Sequence, residues 1–337
     1  MTGEPAVVHR SGAKWKVALR LLVSAVFLAV LVTRVPDLGD SIPADHHLRT
    51  ALLLSAGVLT LLVSVVLSAW RWQEVLLVFD ARVSLVTLTG HQLAGQFVGN
   101  VLPSTIGGDV VRVARVAKNV GSTTTAFASV VLDRLSGMLV LPALVVVGFV
   151  FRPSLLRADH AWFALVVAAL TLAVLVLILF VAGHPAIAGR FAANENWTRF
   201  IGAVFQGIDR ARRNPRRSVR VLFAAFVYQL SIVGSYMVIF NALDKRVSIG
   251  AAFAFVPAVS MLQALPISLG GLGVREGALI LFRHGLGVTS AVATTAGLIW
   301  YGSLVIVSML GAPIFAIGQR AKAPDHAADD APAGLSP

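Results

Sequence analysis

The 337 residues are 57% hydrophobic and 13% charged, against about a quarter charged in an ordinary soluble domain, and the formal net charge is +12. Runs such as 51–69 and 161–182 supply the roughly 20 apolar residues that cross about 30 Å of hydrocarbon, which excludes a water-soluble globule. The lack of cysteine excludes disulfides, zinc–thiolate sites and cysteine nucleophiles, and the basic residues cluster in loops, where they read as topology signals rather than nucleic-acid contacts.

Residues 1–16 are a basic N-terminal segment (Arg10, Lys14, Lys16), expected in the cytoplasm. The first apolar run, 17–35, carries Arg20 and precedes no small-x-small cleavage site, so a retained helix is expected rather than a signal peptide. Loop 36–49 holds Asp37, Asp40 and Asp45 and reads as external. Further spans are expected at 50–69, 135–151, 161–182, 218–240 and 291–317, making about six. Arg71, Arg82, Arg112, Arg115 and Lys118 read as cytoplasmic. The segment 183–217, with seven arginines, is the strongest cytoplasmic signal and is expected to be a loop that contacts anionic lipid. Trp70, Trp72, Trp162 and Trp300 fall near span ends and read as an interfacial belt. The Ala/Pro/Asp-rich tail 321–337 is expected to be disordered and cytoplasmic.

Two other stretches, 84–111 and 249–287, are interrupted by proline and glycine. If 84–111 crossed completely, the basic cluster at 112–118 would emerge outside. It is therefore expected to enter and return at the cytoplasmic face, and 249–287 at the outer face. Irregular backbone at membrane depth is tolerated only where protein or a wet cavity covers it, so both hairpins belong in the middle of the bundle.

The two stretches share a pattern. Leu102-Pro103-Ser104-Thr105-Ile106-Gly107-Gly108-Asp109-Val110-Val111-Arg112 and Leu265-Pro266-Ile267-Ser268-Leu269-Gly270-Gly271-Leu272-Gly273-Val274-Arg275 both read L-P-x-x-x-G-G-x-x-x-R, 163 residues apart. Shifting 50–69 and 135–151 by the same offset lands on later spans. The expected fold is thus an all-α polytopic membrane protein, a single membrane domain over 17–320 whose halves, about 50–151 and 218–317, form an inverted repeat. Broken helices in inverted repeats mark substrate sites in secondary transporters.

The motif suits an anion. Proline ends the incoming arm, paired glycines turn the chain and expose N–H groups, and a half-helix starting near Asp109 or Gly273 presents its positive end. Arg112 and Arg275, about one turn further on, can hold a phosphate in bidentate fashion. Arg112 also reads as a plain cytoplasmic marker beside Arg115; Arg275, on the outer side, does not. Glu276 reads as a neutralising partner or proton carrier, expected to pair with something other than its neighbour Arg275. Asp133 and Arg134, at the start of span 135–151, read equally as hairpin partners or as an interfacial pair. Gln92, Gln96 and Asn100 share a helix face, which lines a path or makes interhelical bonds. The candidate substrate-binding residues are Gly107, Gly108, Asp109, Arg112, Asp133, Arg134, Gly270, Gly271, Arg275 and Glu276.

LPSTIGGDVVR (102–112), SVVLDRLSGM (129–138) and LPISLGGLGVREG (265–277) resemble the flippase-like membrane domain of lysylphosphatidylglycerol synthases and the stand-alone proteins that share it, over roughly 15–320. The resemblance implies movement of a lipid headgroup across the bilayer. Full-length synthases follow this domain with a soluble aminoacyl transferase. This chain ends soon after Arg320, so neither that domain nor synthase activity is expected.

The function expected is therefore a flippase or transporter of an anionic phospholipid or polyprenyl-phosphate-linked lipid in a bacterial-type cytoplasmic membrane, with both termini inside. An intramembrane lipid-phosphate enzyme is the first alternative. LPIS followed by glycine is also similar to undecaprenyl-pyrophosphate phosphatases, but no nucleophile–base–orienter set is evident around Ser104, Ser268 or His284. A scaffold for a membrane-associated glycosyl or aminoacyl transferase is the second. No cofactor, metal or nucleic-acid partner is expected. Without a P-loop signature, neither is direct ATP drive.

Overall fold

The computed structural model describes residues 47–101, 107–183, 195–265 and 270–320. The expected span 17–35, the residues before it, most of the acidic loop, both motif tips (102–106 and 266–269), residues 184–194 and the tail 321–337 lie outside the described residues.

Every regular element among the described residues is helical. Five stretches are long and apolar enough to cross a membrane: α1 (His47–Val78), α4 (Thr123–Phe151), α5 (Ala161–Gly183), α7 (Pro215–Ala242) and Ser290–Ile317. The last divides into α11 (Ser290–Met309) and α12 (Gly311–Arg320), because Pro313 offers no N–H to the carbonyl of Met309. Between these lie α2 (Leu85–Val101), α3 (Gly107–Val120), α6 (Glu195–Arg213), α8 (Ile249–Gln263), α9 (Val274–Leu281) and α10 (Arg283–Leu286).

Helix starts follow local chemistry. Ser122, Ser248 and Thr289 accept the N–H groups of Thr125, Ala251 and Val292 and so cap α4, α8 and α11. The cap at Ser122 places α4's start twelve residues ahead of the expected span 135–151. The polar segment around Asp133 thus lies inside a helix rather than at its mouth. The segment 183–217 is likewise not a plain loop. It contains α6, whose Trp197, Ile201, Val204, Phe205 and Ile208 recur at helical spacing. Ile201 and Val204 are buried, and α6 packs on α4 and α5.

Helices α1 and α7 run antiparallel along their length. At one end Arg49 pairs with Asp244. At the other Arg217 reaches Asp80 at 2.6 Å and Arg220 reaches Glu74 at 2.7 Å. The latter, carrying Arg210–Arg217, is called the basic end here. The pair α2–α3 has both outer termini there, with His91 contacting Asn119 at 2.9 Å. The pair α8–α9 opens at the opposite end, where α10 reaches back so that His284 meets Asp159 at 2.6 Å. Helix α5 is the most lipid-like surface, only 17% buried over its apolar window.

Small residues set the closest crossings. A Cβ on Gly108 would stand 2.6 Å from the Gly95 carbonyl, and one on Gly148 only 2.3 Å from the backbone nitrogen of Ala254, so α2–α3 and α4–α8 meet backbone to backbone. Gly148→Ala is therefore expected to lower stability by about 1–3 kcal/mol through overpacking. Gly234→Ala, where nothing lies within 4 Å, should be neutral or slightly stabilising. Thermal unfolding of the two variants in detergent checks this; equal midpoints would contradict the crossing.

Candidate functional site

The first polar cluster joins α1, α3 and α4. Asp133 is fully buried and accepts from Arg71 Nε and from Arg112 Nη2, both at 2.7 Å. Asp109 accepts from Arg134 Nε at 2.5 Å and lies 3.4 Å from Arg112 Nη1. The result is one alternating chain, Arg71–Asp133–Arg112–Asp109–Arg134, buried at the Arg71 end and open at Arg134. Three guanidiniums face two carboxylates, which leaves one positive charge in excess. Removing such charges from water costs several kcal/mol each unless they are paired, and the pairing here is what makes their burial tolerable.

Aromatic rings complete the cluster. The Arg112 guanidinium lies 4.2 Å from the Trp72 ring centre and that of Arg71 4.8 Å from Tyr228. Trp72 is wholly buried and donates its indole N–H to Ser129 Oγ at 3.1 Å. A Cβ on Gly137 would meet Arg71 Nη1 at 2.6 Å, so a side chain there would displace the end of that guanidinium. Arg112 Nε is buried and has no acceptor among the described residues.

The second cluster joins α8, α9 and α11. Arg275 is fully buried. Its Nη2 donates to the Gly270 carbonyl at 2.7 Å, and Nε and Nη2 share Gln263 Oε1 at 3.1 Å. Its guanidinium lies 4.6 Å from the Trp300 ring and 5.3 Å from Tyr301. Trp300 donates to Ser235 Oγ at 3.0 Å and stacks on Tyr236, ring centres 5.4 Å apart. Glu276 accepts the N–H of Gly273 at 2.6 Å and thereby caps α9. Arg275 Nη1 and Glu276 Oε1 lie 3.5 Å apart, and neither makes a hydrogen bond among the described residues.

The two clusters share a construction. In each, the motif arginine lies on a buried tryptophan whose indole N–H is held by a serine across a helix interface. In the first the tryptophan sits on the helix before the motif and the serine after it. In the second these positions are exchanged.

The expected site residues therefore fall into two groups. Asp109, Arg112, Asp133 and Arg134 come together in the first, where Gly107 opens α3 and Gly108 packs on Gly95. Gly270, Gly271, Arg275 and Glu276 come together in the second. No ion pair links the groups among the described residues. Pro103, Ser104, Pro266 and Ser268 lie outside the described residues.

Three expectations need correction. The glycine turn before Arg275 was expected to present N–H groups. Instead Gly270 and Gly271, at φ 58° and 79°, turn their carbonyls to the side chain and backbone N–H of Arg275. Glu276 does approach Arg275, because both sit in the first turn of a short helix with the carboxylate folded back on Gly273. Trp72, Trp300 and Arg71 are not belt or loop residues: α1 runs on to Val78 and buries the first and third, and α11 buries Trp300. For Arg71 and Trp72 a signal was present, since the apolar residues Val75–Val78 resume within one turn of the polar Arg71–Glu74 stretch. Gln92 donates to Ser68 at 3.1 Å, an interhelical bond, while the Oε1 atoms of Gln92 and Gln96 are buried without hydrogen-bond partners among the described residues. Among the described residues no set of three His, Asp or Glu side chains is placed to hold a metal ion.

The family model for the lysylphosphatidylglycerol synthase TM region matches residues 17–311. The chain belongs to that family. It is thus a membrane protein carrying a domain related to lipid handling, and both arginine clusters fall inside the matched region. No curated protein matches the chain, and no solved structure does.

Proposed function

We propose that this member of the lysylphosphatidylglycerol synthase TM region family moves an anionic lipid across the cytoplasmic membrane, a phospholipid or a polyprenyl-phosphate-linked lipid. The observation that carries the reading is the unmade donor on each motif arginine: Arg112 Nε and Arg275 Nη1 are buried without a hydrogen-bond acceptor among the described residues. A phosphate oxygen satisfies such a donor and also neutralises the excess charge of the first cluster.

On this reading the basic end is cytoplasmic. The pairs α2–α3 and α8–α9 are re-entrant hairpins from opposite faces of an inverted repeat, and the termini are inside. By helix rise, Arg71 lies roughly 10 Å from the basic end of α1, and Gln263 roughly 20 Å from the opposite end of α8. A headgroup passing between the clusters thus travels a short distance. An apolar cavity of about 1170 Å³ between α4, α5, α6 and α7 includes Leu132, Leu135 and Ser136, which flank Asp133 and Arg134 on α4. It suits the acyl chain of a lipid whose headgroup is at the first cluster. Arg275 has no exposure, so its engagement requires the α8–α9 hairpin to open. The scaffold alternative draws support from α6, which ends in Arg210, Arg212 and Arg213 and suits docking to an anionic surface.

The test is proteoliposomes carrying a fluorescent phosphatidylglycerol or polyprenyl phosphate. The initial rate should fall at least about tenfold in Arg112→Gln and in Arg275→Gln, the scale set by losing a charge-assisted hydrogen bond. Protein that moves neither lipid sinks the proposal. Phosphate release in its place favours the enzyme, and capture of a transferase favours the scaffold.

A further inference from the structure

The end of the bundle opposite Arg210–Arg217 carries a basic pocket that topology does not account for. Its loops contain Arg152, Arg157, Lys245 and Arg246, and α10 begins there with Arg283. The carboxylates described there are both engaged, Asp159 with His284 and Asp244 with Arg49. Arg152, Arg157 and Arg246 make no ion pair among the described residues, and all three line one pocket of about 610 Å³ together with Ser154, Ser248 and His284. In the orientation proposed above this is the outer face, where the positive-inside rule disfavours arginine. Three arginines without an ion pair among the described residues, lining one pocket there, call for another reason.

The pocket is held in place by the fold. Leu155, Val247 and Leu286 are buried beneath it and anchor, in turn, the 3₁₀ turn Pro153–Arg157, the α7–α8 loop and α10. The Asp159–His284 contact ties the first of these to the third. A Cβ on Gly250 would meet Arg152 Cβ at 2.8 Å, so the absence of a side chain there lets Arg152 lie against the first turn of α8. That turn, capped by Ser248, adds its positive end to the same space.

We propose that this pocket binds a phosphate-bearing group, either the headgroup of an outer-leaflet lipid or a soluble phosphorylated molecule. Guanidiniums are weakly hydrated forks that match phosphate oxygens two at a time. The volume exceeds that of a bare phosphate and accommodates a glycerol or sugar beside it. The inference rests on the proposed orientation but not on transport, so it survives if the chain moves no lipid.

The test uses the full chain in a neutral maltoside detergent and reads its thermal unfolding midpoint against concentration of each probe. Sodium glycerol 3-phosphate and phosphatidylglycerol in mixed micelles are compared with zwitterionic phosphatidylcholine. The wild type should be stabilised by at least one anionic probe, with an apparent affinity that falls as salt rises. The variant Arg152→Gln/Arg157→Gln/Arg246→Gln should bind at least about tenfold more weakly. Arg283→Gln removes a charge at the same end but outside the pocket lining, and should match the wild type. Stabilisation by glycerol 3-phosphate identifies a soluble ligand class; stabilisation by phosphatidylglycerol alone identifies a lipid headgroup. If neither probe stabilises the wild type, or the triple variant responds as the wild type does, the site is refuted. External labelling of a cysteine placed at residue 154 reports the orientation separately.

Discussion

Replacing Asp133 by Ala is expected to lower stability by about 3–5 kcal/mol, because it strips the shared acceptor from two buried guanidiniums at once. Arg71 would then be left with the Tyr228 ring, and Arg112 with Trp72 and a 3.4 Å approach to Asp109. The loss should be strongly non-additive with Arg71→Met. Once Asp133 is gone, removing Arg71 also removes an uncompensated charge, and the double variant should recover a coupling energy of roughly 0.5–3 kcal/mol. Thermal unfolding of the four proteins in detergent gives this directly. Simple additivity would mean that the Arg71–Asp133 contact carries no energy.

The second large effect is expected at Arg275. Arg275→Met leaves the Glu276 carboxylate buried with, among the described residues, only the Gly273 N–H, and frees Gln263 Oε1 and the Gly270 carbonyl of their donor. The expected cost is again about 3–5 kcal/mol. Glu276→Gln should be milder, since a glutamine oxygen still accepts from Gly273 and preserves the cap. Arg275→Met/Glu276→Gln should therefore be more stable than Arg275→Met alone. Arg275→Lys keeps the charge but loses the flat fork that reaches Gln263 and Gly270 while lying on Trp300, so it should fall between wild type and Met. If Lys substitutes without loss, the stacking and fork geometry are not what holds the residue there.

These two effects show where the sequence was legible. Hydropathy and length are local properties, and they placed five spans that appear as helices α1, α4, α5, α7 and α11–α12. Breaks at the glycine pairs were equally local: α3 starts at Gly107, and positive φ angles at Gly270, Gly271 and Gly273 are open to glycine at little cost. The spacing shared by the two motifs also pointed to Arg112 and Arg275 as related positions. Hydropathy was less reliable where a helix continues into polar sequence. It stopped α1 before Arg71 and started α4 after Arg134, because charges raise the mean polarity of a window whatever their partners are.

What the sequence by itself determined, then, is the membrane class, the number of long apolar helices in the described region, and the glycine pairs at which α3 begins and at which the chain turns before α9. What only the tertiary structure decided is how the charges are neutralised. Asp133 meets Arg71 across 62 residues and Arg112 across 21, and Trp300 meets Ser235 across 65. A buried ion's cost is set by the groups that surround it in space, and no window along the chain contains them. The same reason explains the glycine carbonyls before Arg275. The backbone was free to turn either face inward, and the buried guanidinium, which has only donors, required an acceptor.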